Sequence, residues 1–103
     1  LVETWVYHEL ASLAERLPGI KIRQYRDSDK REIDFLVENE SSEMVGIEVK
    51  AGSAISASDF KHLKWFARTL SPGRFTGIVL YSGDRTLPFG DGCYVVPLGA
   101  LAV

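Results

Sequence analysis

Two apolar segments carry carboxylates where a strand would bury hydrocarbon. EIDFLV, from Glu32 to Val37, has Asp34 at its middle, and GIEVKAG, from Gly46 to Gly52, has Glu48 and then Lys50 two positions on. Strand side chains alternate between faces, so Glu48 and Lys50 share one face; likewise Glu32, Asp34 and Leu36 oppose Ile33, Phe35 and Val37. An unpaired carboxylate buried in such a setting is costly. Any fold of this chain must supply it with a partner. If the two strands run antiparallel, Asp34, Glu48 and Lys50 come together as two carboxylates beside one ammonium. An ion-paired strand surface is the structural solution; a divalent-metal site with an adjacent lysine is the chemical one.

The flanking pattern predicts what carries these strands. Val2, Val6, Leu10, Leu13 and Leu17 recur at helical spacing, and Leu17-Pro18-Gly19 supplies a stop. Ile20 to Tyr25 alternates, the polar turn RDSDKR follows, and EIDFLV resumes a strand. A polar connection, ENESSE, leads to MVGIEVKA, so the second and third strands are expected to form an antiparallel hairpin. Phe60, Leu63, Phe66, Ala67 and Leu70 mark a second helix over 56–70, with Ser56 and Asp59 as a capping box. After the turn SPGR, TGIVLYS reads as a strand covered on both faces and so interior to the sheet. The turn-rich LPFGDG precedes a last strand, CYVVPL, and the tail GALAV is too short to classify. The order predicts an α/β sandwich around a mixed sheet of about five strands. The second helix is the expected crossover between the third and fourth strands, right-handed if they are parallel neighbours.

With 103 residues, the chain is sized for one domain. A net charge of −2 leaves a nucleic-acid partner dependent on a local patch rather than a global field. The single cysteine, Cys93, reads as a small buried hydrophobe. No signal peptide or membrane span is seen, so a cytoplasmic location with no membrane partner is expected. The start on Leu1 suggests a fragment of something longer.

Asp34 and Glu48 suit Mg²⁺ or Mn²⁺, hard cations that take one or two carboxylates and leave room for water and substrate phosphate. Lys50 then orients an attacking water or offsets negative charge in the transition state. The first helix can add a carboxylate. At about 100° per residue, Glu3 and Glu9 each lie about 60° off the apolar stripe, on opposite shoulders, and helical geometry does not choose between them.

Asp34 followed by Glu48-Val49-Lys50 resembles the D, then E-x-K, signature of the PD-(D/E)XK nuclease-like fold. More narrowly, LVETWVYHEL, YRDSDKREIDFLV, GIEVKAG and the helix with Asp59, Leu63 and Phe66 look like the C-terminal domain of unknown function found in prokaryotic AAA-type ATPases. The likeness covers about the first two thirds of the chain. It implies a restriction-endonuclease-like αβββαβ core, metal binding by Asp34 and Glu48, Lys50 serving the attacking water, and Glu3 as the helix carboxylate, with Glu9 the alternative. It also implies Mg²⁺-dependent hydrolysis of DNA or RNA and an upstream ATPase domain in the same chain. Unlike some relatives of the broader superfamily, no Gln or second Lys follows the E-x-K.

Other readings compete. An inactive interaction or regulatory module of that ATPase would keep the fold without the chemistry, and an oligomerisation unit would use Trp5 and Trp65. Arg23, Arg26, Lys30 and Arg31 bracket the first strand and its turn, as a phosphate-holding cluster or a solvated turn. Glu32 is expected to face solvent or pair with Arg23 or Arg31. His8 has no second histidine at ligand spacing, since His62 lies on the other helix, and reads as a surface or core-edge packing residue. Trp5, Tyr7, Trp65 and Phe66 read as core or interface. With no Gly-rich phosphate loop, this stretch is not expected to bind ATP by itself.

Overall fold

The structure, a computed structural model, describes residues 2–70 and 73–102. Part of the expected turn SPGR, Ser71 and Pro72, and the last residue of the tail lie outside them. Helix α1 (Val2–Arg16) is followed by strands β1 (Lys21–Arg26), β2 (Glu32–Glu38) and β3 (Met44–Val49). A 3₁₀ turn (Ala57–Phe60) leads into α2 (Lys61–Thr69), then β4 (Phe75–Tyr81), β5 (Leu87–Pro88), β6 (Cys93–Pro97) and a closing 3₁₀ turn (Leu98–Leu101). This is the αβββαβ order expected of a restriction-endonuclease-like domain.

One mixed sheet has the order β1-β2-β3-β4-β6-β5, with β1 and β5 outermost. The β2–β3 hairpin is antiparallel, as expected, and β3 and β4 are parallel neighbours joined through α2. The sheet has six strands rather than about five. The extra one is the pair Leu87–Pro88, which lies antiparallel against Val95 and Tyr94 within a segment that sequence marks only as turn-rich. Two residues carry no alternation to detect. The first turn of the second helix is 3₁₀, and Ser56 and Asp59 form the expected capping box there, the Ser56 N–H donating to Asp59 Oδ2 at 2.8 Å.

Helices cover opposite faces. On one, Phe60, Leu63 and Phe66 pack with Ile33, Leu36, Val79, Cys93 and Val95. On the other, Val6 and Leu10 of α1 pack with Phe35, Ile47 and Leu80. Cys93 is buried as a hydrophobe would be. Gly46 and Gly77 are opposed on β3 and β4. A Cβ on Gly46 would meet Phe75 Cζ at 2.4 Å and Leu63 at 2.9 Å, and one on Gly77 would meet Cys93 Sγ at 2.8 Å and Leu63 at 3.1 Å. Their bare backbones are the seat into which Leu63, fully buried, presses α2. Among the aromatics, Phe66 is core, Trp65 lies half-buried beneath the Arg31 guanidinium at 4.1 Å, and Trp5 and Tyr7 stay exposed on α1. No helix among the described residues is long and apolar enough to cross a membrane.

The alternation expected of β2 breaks at its centre. Arg23 opposes Leu36 and Tyr25 opposes Ile33, so two steps on β1 span three on β2. The extra residue falls at Asp34–Phe35 and reverses the faces beyond it. Ile33 accordingly shares a core cluster with Leu36, while Phe35 and Val37 belong to the other. The grouping of Asp34 with Leu36 and of Ile33 with Phe35 is therefore corrected. The bulge sits at the carboxylate.

Candidate functional site

The β2–β3 ladder runs from Glu38 opposite Met44 to Phe35 opposite Ile47 and stops there. The next opposed pair would be Asp34 and Glu48. Instead of continuing the ladder, Asp34 accepts the Val49 N–H through Oδ2 at 2.8 Å. The two strands part where their carboxylates meet. β3 alternates Gly46 toward Leu63, Ile47 toward α1, and Glu48 back toward the α2 side. There Glu48 lines a cleft of about 270 Å³ with Glu32, Ser58, Asp59, Lys61 and His62. Glu3 reaches Asp34 from the α1 side, beside a shallow depression lined by Thr4, Tyr7, Gln24 and Phe35.

Electrostatics record this crowding. Burial, then the charge of Asp34 and a hydrogen bond shared with it, push the Glu48 carboxyl up to about 9, with Glu32 and Glu3 adding to the effect. The charge of Asp34, then burial and a hydrogen bond to Asp34, also raise Glu3. Glu3 is thus the helix carboxylate coupled to Asp34, whereas Glu9 lies half-buried further along α1. Among the described residues, no three His, Cys, Asp or Glu side chains are grouped closely enough to hold a metal ion by themselves. The Asp34–Glu48 pair still matches a cation that needs only one or two carboxylates and completes its shell with water and phosphate.

A raised carboxyl makes stability depend on pH. Glu48 in the folded chain keeps its proton well above the ordinary value of 4.5. The folded state therefore binds more protons than the unfolded one between about 4.5 and 9, and stability falls as pH rises through that window. In EDTA, the thermal midpoint is expected to drop from pH 6 to pH 9, and Glu48→Gln, which cannot ionise, is expected to flatten the drop. Parallel pH profiles for the two proteins, read by circular dichroism, would rule this out.

Lys50 follows the last residue of β3, and its N–H donates to Leu80 O at 2.8 Å. Its ammonium lies 2.9 Å from both Asp59 carboxylate oxygens. Burial pushes the Asp59 carboxyl up, but the Ser56 N–H and the Lys50 ammonium outweigh it and hold it below its ordinary value. Lys50 is thus tethered at the cleft through Asp59, a partner sequence assigned only to helix capping. Glu32 pairs with Arg26 at 3.5 Å, not with Arg23 or Arg31. Arg23 bonds Glu38, and Arg31 bonds Asp27 and Asp29, so the basic turn is largely neutralised from within. His62, which sequence placed only on a different helix from His8, holds the Glu32 main chain through Nδ1, which according to tautomer donates to O at 3.0 Å or accepts from N–H at 3.3 Å. Nothing in its spacing pointed to the cleft, because the neighbour is a strand 30 residues away.

The chain is thus an α/β domain built on a mixed sheet, with its carboxylates gathered where β2 and β3 part. Residues 1–101 match the family described as Domain of unknown function (DUF4143), and the chain belongs to that family. No curated protein matches it. It is similar to a solved structure, a repair endonuclease from Pyrococcus abyssi, at 18% identity and a TM-score of 0.45, over 75% of this chain and 38% of that one. The chain thus spans well under half of that protein's length.

Proposed function

We propose that this domain is a PD-(D/E)XK-type nuclease unit hydrolysing phosphodiesters of DNA or RNA with Mg²⁺ or Mn²⁺, joined to an upstream ATPase in a cytoplasmic prokaryotic protein. The observation that carries the reading is the contact of Asp34 with Glu48 where β2 and β3 part, with Glu3 set against Asp34 from α1 and Glu48 forced up to about 9. Perturbed carboxyls gathered at a cleft are a recurrent mark of functional sites. Asp34 and Glu48 are the residues to hold the cation, with Glu3 supporting them from α1. A cation bound there supplies Lewis-acid activation of water and neutralises phosphate charge. Asp34 is fixed for its part by the Val49 N–H, which aims Oδ2, while Glu48 and Glu3 share hydrogen bonds with the same carboxylate. Lys50, held by Asp59, keeps a positive charge beside the cleft, where it orients water or offsets charge on a phosphate.

A second reading, an inactive interaction or regulatory module of the ATPase, is favoured by the bidentate commitment of Lys50 to Asp59. Calorimetric titration with Mn²⁺ separates the two. The wild type is expected to bind saturably and release protons as Glu48 ionises, and Glu48→Ala is expected to lose binding while remaining folded. Cleavage of single-stranded and duplex substrates by the wild type, lost in the variant, completes the test. A folded wild type that takes up no Mn²⁺, with or without an oligonucleotide present, favours the regulatory module.

A further inference from the structure

The cleft beside Glu48 mixes three carboxylates with two nitrogen donors, and their partners divide unequally. Asp59 is neutralised by Lys50, Glu32 is paired with Arg26, and Glu48 shares a hydrogen bond with Asp34. Lys61 is exposed and has no ion pair among the described residues. In the tautomer whose Nδ1 accepts the Glu32 N–H at 3.3 Å, the ring of His62 is fixed and its Nε2–H is left as a donor with no hydrogen-bond partner among the described residues. Among the described residues, the cleft's acids are occupied while its remaining donors are not.

We infer that this cleft seats a backbone phosphate of a nucleic-acid strand next to the scissile one, with His62 as its positioning residue and Lys61 as its charge partner. The inference rests on the nuclease reading, which places the scissile phosphate at Asp34 and Glu48. Donor chemistry favours phosphate. A pinned imidazole supplies a directed hydrogen bond and a flexible ammonium supplies charge, while neither matches the edge of a particular base. Lys61 and His62 begin α2, which Leu63 anchors against Gly46 and Gly77, so the donors stand on a rigid support. Contact through phosphate predicts little sequence preference and strong dependence on salt.

The test uses the chain with Lys61→Ala, His62→Asn and the double substitution, each checked for folding. Affinity for a fluorescein-labelled 12-nucleotide oligothymidylate is measured across a salt series, in Ca²⁺ and in EDTA, with Mn²⁺ titrated separately. Expected are a loss of about tenfold for each single variant and a shallower salt slope, by about 0.7 for Lys61→Ala, with Mn²⁺ affinity unchanged. A merely structural role for these residues would leave the salt slope unmoved. Wild-type affinity and slope in Lys61→Ala and His62→Asn would overturn the phosphate seat while leaving the metal site standing, as would a wild type that binds Mn²⁺ but no oligonucleotide. Absence of Mn²⁺ binding would instead remove the nuclease reading, and the EDTA series would still decide whether these two residues hold phosphate.

Discussion

Asp34→Asn is expected to abolish saturable Mn²⁺ binding while the domain stays folded. The amide oxygen can still accept the Val49 N–H that now reaches Asp34 Oδ2 at 2.8 Å, so the junction of β2 and β3 keeps its link. What disappears is the charge. Altering groups that merely support metal ligands costs about 10–100-fold in affinity, so removing a ligand's charge should cost more than about a hundredfold. The same change relieves Glu48 and Glu3 of the neighbouring charge that raises both, so the metal-free variant should be at least as stable as the wild type at pH 8. Asp34→Ala differs in stability, because it also leaves the Val49 N–H without its acceptor, at about 1–3 kcal/mol. Calorimetry and urea unfolding on both variants separate ligand from scaffold. Undiminished Mn²⁺ affinity in Asp34→Asn would remove Asp34 from the ligand set.

Phe60→Ala is expected to have the larger effect on folding. Phe60 has no solvent exposure and stacks on Phe89 with ring centroids 4.6 Å apart. Truncating a buried phenylalanine costs about 3–5 kcal/mol through lost burial and the cavity left behind. That is a large share of the roughly 5–15 kcal/mol available to a domain of this kind. The damage should reach the site as well, because Phe60 closes the 3₁₀ turn that carries Ser58 and Asp59, and Asp59 holds Lys50. Urea unfolding should give a much lower midpoint with little change in slope. A midpoint near that of the wild type would mean that this turn is not anchored by its phenylalanine.

The order of elements was legible because it rests on periodicity. Val6 and Leu10 on α1 and Leu63, Phe66 and Ala67 on α2 are buried as their spacing predicts, and the run from Ile78 to Tyr81 lies in the sheet's interior. The proximity of Asp34 and Glu48 was legible too, since an antiparallel hairpin with a short connection brings them opposite. The route by which they meet was not. The break in alternation at Asp34 has no glycine or proline to announce it; it arises from pairing with β1, a tertiary fact. Helical angles could not separate Glu3 from Glu9, because the choice depends on which shoulder of α1 faces the parted strands. Lys50 was read as a member of the metal group by its spacing from Glu48, but its nearest partner, Asp59, comes from the crossover that follows. His62 was passed over for a related reason, since its interaction is with main-chain atoms, which any residue at position 32 would offer.

The sheet's two rims resist templating further strands. One rim, β1, lines its length with long charged side chains, the exposed Lys21 and the ion pairs Arg23–Glu38 and Arg26–Glu32, which a second copy laid beside it would have to displace. The other is only the two residues Leu87–Pro88, too short to recruit a neighbour and missing the N–H that proline cannot supply. Growth of the sheet by edge pairing, the usual opening to aggregation in an exposed mixed sheet, is therefore blocked by charge at one end and by brevity at the other.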